Sequence, residues 1–302
     1  MQRRYLTVDV FTDRIFGGNP LAVVLDAQGL NTAQMQAIAA EFSYAETTFV
    51  LPPRTPDHSA HVRIFTPRTE VPFAGHPNVG TAVVFARQLE QAGGPPRDCL
   101  IFEEAAGLVP IRLIREQNSV VGAEFTAPET LTLGSKVSAA DLAECLSLAA
   151  PDINLANHSP QVLSIGLPFL VAEITTRDAL RRAKPNALTH ERVLPPIGTD
   201  AIYAYCPGAT AHELHARMFS PLDGIVEDPA TGSAAGATIS LLAALRPDSD
   251  GQISWRIEQG FEMGRRSLIS GRTEKRNGAV IAVHIGGFAV QVMSGLFDLP
   301  ES

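Results

Sequence analysis

The sequence predicts an α+β protein of two pseudo-symmetric domains, each a curled, mostly antiparallel sheet around a central helix. Three observations carry that prediction. First, the chain repeats its own layout: Gly18-Asn19-Pro20-Leu21-Ala22-Val23 returns 148 residues later as Gly166-Leu167-Pro168-Phe169-Leu170-Val171. Arg63-Ile64-Phe65-Thr66-Pro67 returns 154 residues later as Arg217-Met218-Phe219-Ser220-Pro221. Second, a glycine turn then opens an apolar helix in each half, through Ala74-Gly75-His76-Pro77-Asn78-Val79-Gly80 and Ala230-Thr231-Gly232-Ser233-Ala234-Ala235-Gly236. Third, the first of these helices has little polar face and the second is apolar almost all round, and helices like these are buried. A chain of 302 residues with 45% hydrophobic residues can fill two cores. Sheet wrapped around each helix buries it on every side.

The elements follow in order. Strands are expected at 5–11 and 20–26, rich in Val and Leu, with Gly17-Gly18-Asn19-Pro20 as the turn between them. Asn31 with Gln34 three residues on has the spacing of a capping box, and Met35, Ile38, Ala39 and Phe42 follow at helical spacing. That amphipathic helix ends near Ser43-Tyr44. Residues 47–51 and 60–65 read as strands. The helix after Gly75 runs to about Leu89 on Val79, Ala82, Val83, Phe85 and Ala86, and its counterpart covers 234–245. Strands near 279–286 and 288–294 close the second half. Ala127-Pro128-Glu129-Thr130, followed by Leu133-Gly134-Ser135-Lys136, is a break in composition that reads as a linker. The expected domains are therefore 1–127 and 128–302, and it stays open whether the last residues, about 291–302, pack back on the first half.

Composition removes several function classes. With 24 basic and 32 acidic residues the formal charge is -8, and no basic cluster exceeds short pairs. Nucleic acid and anionic membranes are not expected partners. Three cysteines, Cys99, Cys145 and Cys206, show no CxxC spacing, so they are expected to be reduced and buried in a cytoplasmic protein. The first residues alternate like a strand and lack a signal-peptide pattern. No run reaches the roughly 18–20 apolar residues that span a bilayer. His212 and His215 stand three apart with no third ligand in view, so no metal is expected there. His58 and His61 are expected to face solvent from a polar loop. No phosphate-binding loop or dinucleotide fingerprint occurs, and no cofactor is expected.

What remains is acid/base chemistry at the two glycine turns. Each turn offers backbone N–H groups and the positive end of a helix dipole, a site for a carboxylate. Two facing turns would clamp one small acid. Glu46 follows the first amphipathic helix, His76 sits on the first turn, and Asp228 precedes the second. Each also has a purely structural reading: a solvated carboxylate at a helix end, a turn residue held by backbone, and a helix N-cap. Asp200 stands 154 residues after Glu46 and is either a relic of the repeat or a working group. A carboxylate and an imidazole with a second carboxylate opposite can take a proton from one atom of a bound acid and return it at another. The expectation is a cofactor-independent isomerase working in a cleft between the halves. The alternative is a non-catalytic protein that keeps the clamp to bind a small acid or a protein partner.

The motifs resemble the PhzF-like family of phenazine biosynthesis, relatives of diaminopimelate epimerase. The carriers are Asp9-Val10-Phe11-Thr12 with Gly18-Asn19-Pro20-Leu21-Ala22-Val23, then Ala45-Glu46-Thr47-Thr48-Phe49 and Phe65-Thr66-Pro67 through Pro72-Phe73-Ala74-Gly75-His76-Pro77. Phe219-Ser220-Pro221, Glu227-Asp228-Pro229-Ala230-Thr231-Gly232-Ser233-Ala234 and Met263-Gly264-Arg265 complete a match along nearly the whole chain. The resemblance implies an epimerase-like fold, an active site between two halves, a small carboxylate substrate and a homodimer. It implies that Glu46 shuttles the proton, that His76 and Asp228 are the other catalytic positions, and that Asn19, Gly75, Gly232 and Ser233 bind substrate. The epimerase relatives use two thiols, whereas the corresponding turns here carry Ala74 and Pro229-Ala230, which excludes a two-cysteine racemase. Three positions depart from the family pattern: Ala45 where the phenazine enzyme has serine, Asn78 where threonine is common, and Arg266 where proline is usual.

Overall fold

The computed structural model describes residues 2–299. The chain forms two compact units, Met1–Thr126 with Gly286–Ser302, and Ala127–Ile285. In the first, β1 (Gln2–Val10) pairs antiparallel with β2 (Asn19–Val24), and α1 (Thr32–Phe42) crosses over to β3 (Glu46–Leu51), parallel to β2. The Asn31 capping box forms as expected, with Gln34 N–H on Asn31 Oδ1 and Asn31 N–H on Gln34 Oε1. Next come β4 (Ala60–Phe65), antiparallel to β3, and the short β5 (Glu70–Val71). Helix α2 (Gly75–Gln91) crosses over to β6 (Cys99–Glu104), parallel to β4, before the antiparallel β7 (Gly107–Glu116) and β8 (Ser119–Thr126).

The second unit opens with β9 (Thr132–Lys136), α3 (Ala139–Cys145), β10 (Ile153–Asn154), β11 (Gln161–Ser164) and β12 (Pro168–Ile174). Two short helices, α4 (Arg177–Arg182) and α5 (Ala187–Val193), lead to β13 (Ile202–Pro207), parallel to β12. Strands β14 (Glu213–Ser220) and β15 (Ile225–Asp228) follow. Helix α6 (Gly232–Ala244) then crosses over to β16 (Gly251–Gln259), parallel to β14, and β17 (Ser267–Arg276) and β18 (Ala279–Asp298) end the chain.

The same pairing scheme thus occurs twice. A parallel strand pair needs a long crossover connection, and in each unit the second crossover is the apolar helix. That is why α2 and α6 lie against their sheets and are buried along most of their length. Strand β18 pairs with both β1 and β8, so the ladder β1-β2-β3-β4-β6-β7-β8-β18 closes around α2. Glycine makes the helix fit: a Cβ on Gly80 would come within 2.7 Å of both Leu21 and Val10, and one on Gly236 within 2.5 Å of Ile165.

Four expectations are corrected. Leu133-Gly134-Ser135-Lys136 is no linker but part of β9, paired with β11; it is exposed throughout, so it lacks the alternation that marks a half-buried strand. Residues 279–298 form one strand rather than two. The strand runs through Gly286-Gly287, where the missing side chains allow close approach: a Cβ on Gly286 would lie 2.6 Å from Ala123 O, and one on Gly122 would lie 2.3 Å from Gly287 O. Cys99, the first residue of β6, is exposed, while Cys145 and Cys206 are buried and all three are free. His58 and His61 do not simply face water: His58 Nδ1 lies 2.7 Å from Glu103 Oε1 and His61 Nε2 lies 3.1 Å from Arg54 Nη2. Among the described residues, no helix is long and apolar enough to cross a membrane.

Candidate active site

Alternation along β3 decides where Glu46 points. Thr48 faces α2, because its hydroxyl lies 2.8 Å from that of Thr81 on the helix. Glu46, two residues earlier, shares that face. His76 is the second residue of α2, and its Nε2 lies 3.4 Å from Glu46 Oε2. The His76 side chain is 6% exposed and that of Glu46 19%. Burial lowers the His76 pKa to about 3, so the ring is neutral at ordinary pH. The pair is therefore a carboxyl group facing a neutral imidazole, a geometry suited to holding or passing a proton rather than to an ion pair.

Asn19 opens β2 and is fully buried. It lies on the same face as Leu21, the residue that limits Gly80 of α2 and stands opposite Glu46 in the ladder. Gly18 before it has φ +59°, and a Cβ there would lie 2.2 Å from Val10 O, so the turn requires glycine. Gly75 is the first residue of α2. Its N-cap, Ala74, has no side chain to cap the helix, and Ala74 O instead accepts a hydrogen bond from Asn78 Nδ2 at 3.0 Å.

The second unit holds a similar arrangement. Asp228 ends β15, is 6% exposed, and accepts a 2.5 Å hydrogen bond from the Thr231 hydroxyl. Asp228 is therefore not the helix N-cap; Thr231 holds that position, and its hydroxyl points at Asp228 instead of at the helix. Gly232 and Ser233 are the first two residues of α6. α1, α3, α4 and α5 are each capped by a side chain, Asn31, Ser138, Thr176 and Asn186 respectively. Helices α2 and α6 have none, which leaves their positive ends to another acceptor.

Two residues here escaped sequence reasoning. Gln259, the last residue of β16, accepts from Thr231 N–H at 3.1 Å and donates to Asp228 O at 2.8 Å and Thr231 Oγ1 at 3.0 Å. Tyr203 is fully buried, and its hydroxyl has no hydrogen-bond partner among the described residues. Burial first, and then the charge of Asp228, pushes its pKa up, so the phenol stays neutral. The repeat held the signal for Tyr203. Thr47 pairs with Phe65 and Ile202 with Phe219, so Tyr203 is the ladder counterpart of Thr48. The same registers correct the reading of Asp200: the counterpart of Glu46 is Ala201, and a shift of one residue turns a side chain to the other face. Asp200 lies instead beside Asp223, and its pKa is raised by burial and that neighbour. His215 lies beside Arg177 and Glu258, and His212 packs edge-on against Trp255.

The candidate residues thus fall into two sets, Asn19, Glu46, Gly75 and His76 in the first unit, and Asp228, Gly232 and Ser233 in the second. Comparison with known proteins agrees with the motifs. The family model of phenazine biosynthesis-like proteins matches residues 8–295. An uncharacterised isomerase of Mesorhizobium japonicum is 40% identical over 301 residues, covering 97% of this chain and 98% of that protein. The trans-2,3-dihydro-3-hydroxyanthranilate isomerase of Pseudomonas chlororaphis is 36% identical over 303 residues, with 98% and 99% covered. The crystal structure of a Bacillus anthracis phenazine biosynthesis protein of the PhzF family superposes with a TM-score of 0.86 at 27% identity, over 99% of this chain and 100% of that one. With the match spanning both units, the chain belongs to the phenazine biosynthesis-like, or PhzF, family and is an isomerase of the α+β fold that the repeat predicted.

Proposed function

We propose that this isomerase shifts a proton on a small carboxylate-bearing substrate by acid/base catalysis, without a cofactor. Glu46 is the shuttle: as a carboxylate it takes a proton from substrate carbon, and as the resulting acid it returns that proton to a second carbon, with no net change in electrons. Neutral His76 carries one N–H, and facing Glu46 Oε2 through Nε2 it holds the carboxylate in place. Asp228, steadied by Thr231, is the second carboxylate of the proposal. The uncapped N-termini at Gly75 and at Gly232-Ser233 take the carboxylate, and Asn19 lines the site. A homodimer, checked by sedimentation, belongs to the same proposal.

The observation that carries this reading is the approach of Glu46 Oε2 to His76 Nε2, 3.4 Å, at a helix start with no side-chain cap. The relative named for trans-2,3-dihydro-3-hydroxyanthranilate makes that compound the first substrate to test. Ala45 supplies no hydroxyl beside the shuttle, which points to a substrate that differs from it near that position. Proton NMR in D2O, with wild type and Glu46→Gln, is the test across a panel of small carboxylates. Deuterium entering at carbon with wild type alone is the expected result. Exchange that survives Glu46→Gln overturns the role of Glu46. Tight binding of a carboxylate with no exchange, unaffected by Glu46→Gln, favours a small-acid binding protein.

A further inference from the structure

Strand β4 separates two environments. Ile64 stands opposite Thr48 in the ladder, so it and Val62 share the side of α2 and Glu46, while His61 and Arg63 lie on the other side. Along its second edge β4 pairs with β6 through Ala60 and His61, and with β5 from Ile64 on. Its repeat in the second unit, β14, pairs with β16 over Glu213, Leu214, His215 and Ala216. The first ladder therefore opens at Val62 and Arg63, and there a cavity of about 260 Å³ lies between these two residues, Arg54, His61, Glu70 and Val71. The arginines of the repeat differ in the same way. Arg217 Nη1 donates to the carbonyls of Leu180, Arg181 and Ala183, whereas Arg63 Nη1 lies 3.4 Å from Met35 Sδ, a weak acceptor.

The charges around the cavity do not cancel. Arg63 and Glu70 neutralise each other through bonds of 2.7 and 2.6 Å. Glu104 also borders the cavity, but both of its carboxyl oxygens are sealed from solvent. Arg54 remains as the open charge: among the described residues its side chain makes one hydrogen bond, from Nη2 to His61 Nε2 at 3.1 Å. A guanidinium only donates, so Nε2 accepts and the ring proton sits on Nδ1, where it is a further donor. Burial, then the charges of Arg54 and Arg63, lower the His61 pKa against Glu103 and Glu70, so the ring is neutral at pH 7. The backbone that carries Arg54 is stiff. Pro52 and Pro53 precede it, and Glu103 accepts from Arg54 N–H and Thr55 N–H, each at 2.9 Å. A guanidinium fixed at its root and held at its tip by His61 has less freedom to lose on binding. We propose that this cavity is a second binding site, on the face of β4 turned away from Glu46, for a small oxyanion, a carboxylate or phosphate group held by the fork of Arg54 and the N–H of His61.

The site is independent of the proton-shift reading, since none of its residues belongs to that machinery, and binding rather than turnover tests it. Protein labelled with 15N is titrated with inorganic phosphate and, separately, with acetate, and the Arg54 Nε–H signal is followed together with the backbone amides. Saturable shifts at Arg54, His61 and Arg63 are expected, and the anion that binds more tightly tells a phosphate ligand from a carboxylate one. Arg54→Gln should weaken that binding about tenfold, the size of one charge-assisted hydrogen bond. Arg54→Lys, which keeps the charge and loses the fork, should weaken it less. Because the Arg54 side chain is exposed, both variants should unfold in urea at the wild-type midpoint. If Arg54→Gln lowers the midpoint, Arg54→Lys and the residue-by-residue shifts decide. Shifts confined to the helix starts at Gly75-His76 and Gly232-Ser233, or an affinity that Arg54→Gln leaves unchanged, overturn the proposal. So does a response that never saturates, the mark of an adventitious ion only.

Discussion

Arg217 holds Glu227 with two guanidinium nitrogens, Nε to Oε1 at 2.8 Å and Nη2 to Oε2 at 2.7 Å, and its Cζ lies 4.8 Å from the centre of the Phe219 ring. Arg63 repeats this with Glu70, at 2.7 and 2.6 Å, and lies 5.0 Å from the Phe65 ring. The repeated Arg-x-Phe motif therefore has a physical meaning. In each unit it pins the short strand that precedes the central helix, Glu70 on β5 and Glu227 on β15, and so sets where the glycine turn begins.

The two copies should differ in weight. Arg217 is 8% exposed and also donates to the carbonyls of Leu180, Arg181 and Ala183. Arg217→Ala strands Glu227 and those carbonyls, and should destabilise by about 3–5 kcal/mol. Arg63 and Glu70 are 20% and 34% exposed, and Arg63→Ala should cost about 1 kcal/mol. Urea unfolding of both variants measures the difference, and equal losses would remove Arg217 as the stronger anchor.

Two buried groups give stability opposite pH slopes. The His76 pKa is lowered from 6.5 to about 3, so the unfolded chain binds the extra proton between those values and stability falls as pH drops through that window. The Glu104 pKa is raised from 4.5 to about 8, so the folded state holds the extra proton and stability falls as pH rises through that window. Between pH 6.5 and 8 the Glu104 slope acts without that of His76. Glu104→Gln should flatten the stability profile there and exceed wild type at pH 8, as read by urea midpoints across pH.

Gly80→Ala tests the fit of α2 in its sheet. Alanine favours a helix over glycine by about 1 kcal/mol. Here its Cβ would press on Leu21 and Val10 at 2.7 Å, so a net loss of about 1–3 kcal/mol is expected. Gly236→Ala, which would press on Ile165 at 2.5 Å, should act in the same direction. A rise in melting temperature in either variant would show that the helix has room.

Gln259 ties Thr231 to Asp228 through three hydrogen bonds. Gln259→Leu keeps much of the bulk and removes them. It should lower kcat by about tenfold or more while costing about 1–3 kcal/mol of stability, because Thr231 N–H and Asp228 O are left buried without that partner. Steady-state kinetics together with circular dichroism separates the two effects, and unchanged kcat would show that Thr231 alone fixes Asp228.

Much of the fold was legible in residue order. The α1 capping box, the strands at β3 and β4, and both buried helices follow from local spacing and from apolar content that only an enclosing sheet can bury. The motifs fixed the family for the same reason, since each turn and strand start has its own chemical signature. Legibility failed where a signal had two physical causes. The expected break between strands 279–286 and 288–294 proves to be a place where two strands touch, and the exposed β9 has no alternation to mark it.

By itself the sequence determined the duplication, the two crossover helices and the Glu46, His76 and Asp228 candidates, because these depend on local pattern and on chemistry carried by single residues. Only the tertiary structure decided which partners those residues meet. It brought Glu46 to His76, set Gln259 and Tyr203 around Asp228, moved Asp200 off the symmetric position by one residue, and buried Glu104. The reason is physical. Ladder register and burial come from strands distant in sequence, and it is register that turns a side chain inward and burial that sets its protonation state.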